Sequence, residues 1–243
     1  MDFLPEIVSI IFDYSNINDV ISFIRSYKID KEIQKIFYLR LFKKYNDLDI
    51  ICNSKYIDLT YVKFIDKFNP KCTDNAMDYA AHNGHLEVVQ WLHYKSITES
   101  DRYKGCTAWA MDGAAKHGHI EVVQWLHNNC KEGCTIWAMN DAAANGHLDV
   151  VKWLYEKYIT KSNRNDDCIH TVIYYAAQNG HLDVVKWLCE RYFTVFNEYN
   201  NYVLDIMAHA VENNHQNIVE WLKQWCCEND QNNTIMNLSE QKN

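Results

Sequence analysis

The sequence predicts an all-α protein, a solenoid of helix-turn-helix units, and three observations carry that prediction. First, the pattern Ala-Ala-x-x-Gly-His-[Leu/Ile]-[Glu/Asp]-Val-Val-[Gln/Lys]-Trp-Leu occurs four times, at 80–92, 114–126, 142–154 and 176–188, with a worn fifth copy at 210–222. Self-similarity at this scale is the mark of stacked repeats. Second, apolar residues make up 48% of the 243 residues, enough for a core, while Gly 7 and Pro 2 are too few for a turn-rich all-β chain. Third, the apolar positions within a copy have helical spacing. In the first copy they stand at 86, 88, 89, 91 and 92, an arc of roughly 220° around a helix. So wide a face must be covered on two sides, by a partner helix and by neighbouring repeats.

The elements follow in order. Residues 1–45 read as a helical N-terminal module: Leu4-Pro5-Glu6-Ile7, Ile10-Ile11-Phe12-Asp13-Tyr14 and Asp19-Val20-Ile21-Ser22-Phe23-Ile24 are short amphipathic stretches, and Pro5 suits a first helical turn. Residues 46–71 read as a degenerate N-terminal capping repeat, because Leu59, Val62, Phe64 and Ile65 have the spacing of a second helix without its Gly-His. Five repeats fill 72–227. Residues 228–243 are a polar C-terminal tail, of the kind that frays.

Inside the repeats, Gly-His begins at 84, 118, 146 and 180, and Asn214-His215 replaces it in the last copy; the spacings are 34, 28, 34 and 34 residues. The glycine falls where the first helix of each unit must stop, and a left-handed residue suits that place. Asn214 is the next-best residue for the same conformation. Glu87, Glu121, Asp149 and Asp183 then lie in the first turn of the second helix, where an acid complements the helix dipole. Thr73, Thr107 and Thr135 precede the first helices as candidate N-caps. The 28-residue unit leaves only 127–133 between its last helix and Cys134, so it has no room for the long connection of the other units. Lys95-x-Ile97-Thr98-x-Ser100-x-Arg102 recurs as Lys157-x-Ile159-Thr160-x-Ser162-x-Arg164, which points to duplication of a two-repeat block.

This pattern resembles the ankyrin repeat, whose core reads Thr-Pro-Leu-His-x-Ala-Ala-x-x-Gly-His-x-x-Val-Val-x-x-Leu-Leu. The resemblance covers about 72–227. It departs from the family in two places: Asn75-Ala76-Met77-Asp78, Trp109-Ala110-Met111-Asp112 and Trp137-Ala138-Met139-Asn140 replace Thr-Pro-Leu-His, and the first Leu of the Leu-Leu pair is Trp. The variant Gly-Cys-Thr-x-Trp-Ala-Met is similar to repeats from giant viruses of amoebae, which would put the protein in a host's cytoplasm. The resemblance implies hairpin fingers between the long units and a turn histidine (His85, His119, His147, His181, His215) that stiffens the turn by bonding neighbouring backbone. It also implies a protein–protein interaction scaffold that takes a protein partner in a concave groove.

Positions that vary between copies while the frame stays fixed are the natural contacts. They are the residue before Ala-Ala and the two before Gly-His. Among them Tyr79, His82, Asn83, Lys116, His117, Asp141, Asn145, Tyr175, Gln178, Asn179 and His209 are assigned to the groove. Tyr79 and Tyr175 are the expected anchors, tyrosine being enriched at interface hot spots. A second reading comes from the N-terminus, where Leu-Pro-Glu-Ile…Ile-Phe-x-Tyr…Asp-Val resembles an F-box. That family docks on the adaptor of a cullin-type ubiquitin ligase, which would make this chain a substrate-recognition adaptor. The plainer alternative is a helical cap on the first repeat.

Other functions are excluded. The net charge is −8 with basic residues scattered, so the basic stripe that nucleic acid needs is missing. No apolar run approaches a membrane span, and the first residues carry no secretion signal. A cytoplasmic monomer is expected. Of nine cysteines, Cys72, Cys106, Cys134 and Cys168 share one repeat position, so reduced thiols are expected rather than a disulfide framework. His127-x-x-Cys130-x-x-x-Cys134 has the spacing of three zinc ligands, but no fourth follows, and no metal site or cofactor is expected. The tryptophans at 91, 125, 153, 187 and 221 are expected to pack between repeats. No phosphate loop, nucleophile elbow or metalloprotease helix is present, so the chain is not expected to be an enzyme.

Overall fold

The computed structural model describes residues 16–26, 31–45, 47–68, 70, 72–159, 166–192 and 200–240. Among them every regular element is a helix. The chain forms two compact units: residues 1–114 with 119–135, and residues 115–118 with 136–243. The first unit holds α1 (Ile17–Ser26), α2 (Lys31–Lys44), α3 (Leu48–Cys52), α4 (Leu59–Asp66), α5 (Asn75–His82), α6 (Leu86–Thr98), most of α7 (Ala108–Lys116) and α8 (Ile120–Asn129). The second holds α9 (Ile136–Ala144), α10 (Leu148–Tyr158), α11 (Asp166–Gln178), α12 (Leu182–Tyr192), α13 (Asn200–Glu212) and α14 (Gln216–Glu240).

Each hairpin is closed by a left-handed residue. Gly84, Gly118, Gly146 and Gly180 have φ between 73° and 84°, and Asn214 has φ 62°. The histidine after each glycine starts the second helix. Glycine has a second duty here that periodicity does not show. An ideal Cβ on Gly84 would come within 2.6 Å of the His119 ring, on Gly118 within 2.5 Å of His147, on Gly146 within 2.5 Å of His181, and on Gly180 within 2.6 Å of His215. Each glycine thus makes room for the turn histidine of the next repeat. In the last copy the left-handed residue is Asn214, which carries a Cβ.

The turn histidines also tie successive hairpins through their backbone. Nε2 of His85 lies 2.9 Å from the Ser54 carbonyl, that of His181 2.9 Å from Ala144, and that of His215 3.0 Å from Gln178. A carbonyl oxygen only accepts, so Nε2 carries the proton in all three. Beneath these turns the Ala-Ala pairs at 80–81, 142–143 and 176–177 are fully buried, as are Val89, Val151 and Val185. Small side chains let the two helices of a hairpin close on each other, and Val-Val-x-x-Leu fills the space between.

Threonine 107 directly precedes α7, and its Oγ1 accepts the Trp109 N–H at 3.1 Å. Thr73 lies one residue further back: the N-cap of α5 is Asp74, which makes no side-chain cap bond, while Thr73 Oγ1 accepts from Asn75 at 3.2 Å. The stronger role of these threonines links repeats. The N–H and hydroxyl of Thr107 donate to Oδ1 and Oδ2 of Asp78 at 2.9 and 2.6 Å. Thr135 does the same to Asp112 at 2.8 and 2.6 Å, and Thr73 to Asp49 at 2.9 and 2.5 Å. In the next copy both halves change together, to Asn140 and Ile169, and both are buried.

The N-terminal module covers the first hairpin. Asp58 caps α4 by accepting the Tyr61 N–H at 2.9 Å, which establishes α3 and α4 as a hairpin without Gly-His. Tyr38 of α2 stacks on Tyr61 at 4.5 Å, and Phe37 and Leu41 are buried with it. Asn18 Oδ1 accepts from the Ser54 hydroxyl at 2.8 Å and the Lys55 N–H at 3.1 Å. At the other end α14 continues to Glu240, well into the segment read from sequence as a fraying tail. No Gly or Pro interrupts 216–240, so nothing in the chain stops the helix at its last apolar turn.

One further expectation, the hairpin finger, changes; the tryptophans pack between successive repeats as expected, as half-buried rungs. Trp125 meets the edge of His93 at 5.2 Å and Trp187 that of Tyr155 at 5.2 Å. Basic side chains lie over them: Lys152 and Arg191 on Trp187 at 5.8 and 5.6 Å, and Lys186 on Trp221 at 5.7 Å. A half-buried indole capped by a cation keeps its apolar faces covered without entering the core. The connection after α6 is a turn-rich loop with no strand. It is pinned by Asp66, which takes a hydrogen bond from the Tyr103 hydroxyl and ion pairs from Arg102 at 2.8 Å and Lys95 at 3.3 Å. The repeated motif at 157–164 falls mostly outside the described residues.

Candidate functional site

The contact positions separate into those that are engaged in the fold and those that are offered to solvent. Asn83, Asn145 and Asn179 belong to the first kind. Their side-chain amides donate to the carbonyls of Tyr79, Asp141 and Tyr175 at 3.0, 2.8 and 2.9 Å, and Asn213 does the same to His209 at 2.9 Å. Each closes the last turn of its own helix, where carbonyls lack intrahelical partners.

In the first unit Tyr79 and His82 line one cleft of about 420 Å³ with Asn75, Asp78, Thr107 and Trp109. Tyr79 is 38% exposed and Trp109 is 78% exposed. Gly113 lets His82 sit close: an ideal Cβ there would lie 3.1 Å from the His82 ring. Asp78, on the floor, is held by Thr107. Burial raises its carboxyl above the usual carboxylate range, against the two Thr107 bonds that favour the charge. The cleft therefore has a fixed polar floor and two aromatic walls, one of them mostly exposed.

Within the second unit, Lys116 pairs with Asp141 at 3.7 Å. Tyr175 packs edge-on against Tyr174 at 5.2 Å, Tyr174 against His209 at 4.4 Å, and His209 approaches Glu212 at 3.2 Å. Gln178 gives its carbonyl to His215. Trp137 is 53% exposed. Sequence reasoning missed Trp109 and Trp137. The same repeat position holds Asn75, Trp109, Trp137 and Thr171, so it varies between copies, but it lies outside the Ala-Ala and Gly-His frame from which the contact set is drawn. Their neighbours gave a signal: Ala110-Met111 and Ala138-Met139 already supply the buried face of each helix, which leaves the preceding Trp on the other side.

Among the described residues, the potential metal ligands drawn together are Cys106, Cys130 and Glu132, whose ligand atoms lie within 4.8 Å of one another. His127 and Cys134, the partners that sequence spacing suggested for Cys130, are not in that group. Among the described residues no helix is long and apolar enough to cross a membrane.

Two family models match the chain. One, described as ankyrin repeats (3 copies), covers residues 77–166 and 139–235; the other, described as ankyrin repeats (many copies), covers residues 44–93. The chain belongs to the ankyrin-repeat family, and its fold is the ankyrin-type helical solenoid. The second match takes in the hairpin α3–α4, so the repeats begin before the first Gly-His. Neither matching family is catalytic. Comparison with curated proteins returns no match.

Proposed function

We propose that this chain is a protein–protein interaction scaffold whose principal contact is the Tyr79–Trp109 cleft. Ankyrin repeats are built for protein partners, and the observation that carries the reading here is the exposure of Trp109. Leaving an indole in water has a cost that burial in a complex would recover, and Trp and Tyr are the residues most enriched at binding hot spots. The occupant is a protein segment that places an apolar side chain between Tyr79 and Trp109, with polar groups meeting His82 and Asn75. In the second unit Tyr175, His209 and the exposed Trp137 form further contacts. The protein acts by holding or sequestering its partner.

Residues 16–45 act as the cap of the first hairpin in this reading. The adaptor alternative rests on Leu4-Pro5-Glu6-Ile7 and Ile10–Tyr14, which lie outside the described residues, and the helices that follow direct Phe37, Tyr38 and Leu41 into the protein itself. The repeated Gly-Cys-Thr-x-Trp-Ala-Met at 105–111 and 133–139 supports a kinship with viral repeats. Affinity capture with the full chain and with a Trp109→Ala variant tests the proposal. Partners held by the first and lost by the second support it; a set of partners unchanged by the substitution contradicts it. Capture of a ubiquitin-ligase adaptor by the full chain, lost on deletion of 1–45, would favour the alternative.

A further inference from the structure

We infer that Cys106, Cys130, Glu132 and His93 form a structural zinc site in the first unit. Cys106 Sγ lies 3.8 Å from Glu132 Oε2, Cys130 Sγ lies 3.8 Å from His93 Nδ1, and the ligand atoms of Cys106, Cys130 and Glu132 are within 4.8 Å of one another. Zinc bonds of about 2.0–2.3 Å in a tetrahedron separate ligand atoms by roughly 3.3–3.8 Å. Two of the edges are already near that length. His93 stands outside the tightest trio and joins it through Cys130.

The sequence around the site is unlike the rest of the repeat. Cys106 is the repeat-defined cysteine, but Cys130 and Glu132 belong to no repeated position. Both lie in the short connection of the 28-residue unit. Cys130 ends α8 in an extended conformation, its N–H bonded to the Leu126 carbonyl. Gly133 follows with φ 66°, which reverses the chain immediately after Glu132. The backbone N–H of Lys131 donates to Glu132 Oε2 at 2.9 Å, an outer bond of the kind that orients ligating carboxylates. The missing residues of this unit thus bring a Cys-x-Glu turn against the cysteine that precedes α7 and a histidine of α6.

Two thiolates select a borderline ion such as zinc over magnesium or calcium. Four protein ligands leave no open position, which marks a structural site rather than a catalytic one. Binding releases the thiol protons to solvent as the sulfurs take the metal. The site would staple α6, the loop before α7 and the connection after α8 to one another, in place of the loop contacts that the short connection lacks.

The full chain, reduced and stripped with a chelator, is titrated with Co²⁺ and then Zn²⁺. One equivalent is expected, with the visible bands of tetrahedral cobalt and a thiolate charge-transfer band, displaced by zinc, and zinc should raise the melting temperature. Cys106→Ser and Cys130→Ser should remove the charge-transfer intensity of the sulfur replaced. Glu132→Gln, at an exposed position, should weaken zinc by more than about 10-fold and leave metal-free melting unchanged. Cys134→Ser should still bind one equivalent. Absence of tetrahedral cobalt bands would overturn the inference. So would a full equivalent bound by the Cys106→Ser/Cys130→Ser double variant, or a Cys106–Cys130 disulfide that forms in air equally fast with and without zinc.

Discussion

The ring of His181 occupies the space that a side chain on Gly146 would need. An ideal Cβ there would lie 2.5 Å from its Nδ1, and Gly146 itself has φ 75°. The same histidine donates from Nε2 to the Ala144 carbonyl at 2.9 Å. One glycine therefore serves both the turn of its own hairpin and the histidine of the next, and its replacement disturbs two repeats at once.

Gly146→Ala is accordingly predicted to cost about 2 kcal/mol or more, from left-handed strain and from displacement of the ring. Asn214 already carries a Cβ, so Asn214→Ala meets the left-handed strain without adding an atom, and is predicted to cost about 1 kcal/mol. Denaturant unfolding of the two variants gives the comparison. Equal losses would show that the ring contact contributes nothing.

The Asp78–Thr107 clasp gives a stability effect and a pH effect. Thr107→Val removes the hydroxyl donor from a buried carboxylate and is expected to cost about 1–3 kcal/mol. Because burial raises the Asp78 carboxyl, the native state keeps that proton to higher pH than the unfolded chain does. Its contribution is full below the ordinary carboxylate range, near about pH 4, and falls as pH rises through the native value. Asp78→Asn keeps an acceptor for the Thr107 N–H and cannot ionise. Its melting temperature relative to the natural protein should therefore climb across that window and then level off; a difference that shrinks with rising pH would contradict the assignment.

Removal of residues 1–45 strips Tyr38 from Tyr61 and uncovers the α3–α4 hairpin. End repeats need a polar outer face to stay soluble, so the shortened chain is predicted to melt at lower temperature and to aggregate on concentration. Light scattering and calorimetry check this. Unchanged melting and solubility would show that the module is not the cap.

The fold was legible because the repeat states its own period: Gly-His, the alanine pair and Val-Val are local signals that needed no partner to interpret. What was not legible depends on the neighbouring repeat. Glycine at 146 is explained by φ from sequence, but the ring of His181 lies 35 positions on. The Asp78–Thr107 clasp spans 29 residues, although the joint change to Asn140 and Ile169 in the next copy was a usable sign of it. At the candidate site, reading variation as contact selected Tyr79 and His82, which line a cleft, and also asparagines that close helix ends. Trp109 stands outside the Ala-Ala and Gly-His frame, and no contact was looked for there. The spacing of His127, Cys130 and Cys134 led to the expectation of no metal site, whereas the fold brings Cys106 and Glu132 to Cys130, a juxtaposition that spacing along the chain does not show.

The most direct test is the affinity of a captured partner for the natural chain and for the Tyr79→Ala/Trp109→Ala variant, each with its melting temperature. The prediction is a weakening of roughly 30-fold or more, equivalent to about 2 kcal/mol, with melting unchanged because both side chains stand outside the core. Equal affinity in the two proteins would contradict the assignment of this cleft as the binding surface.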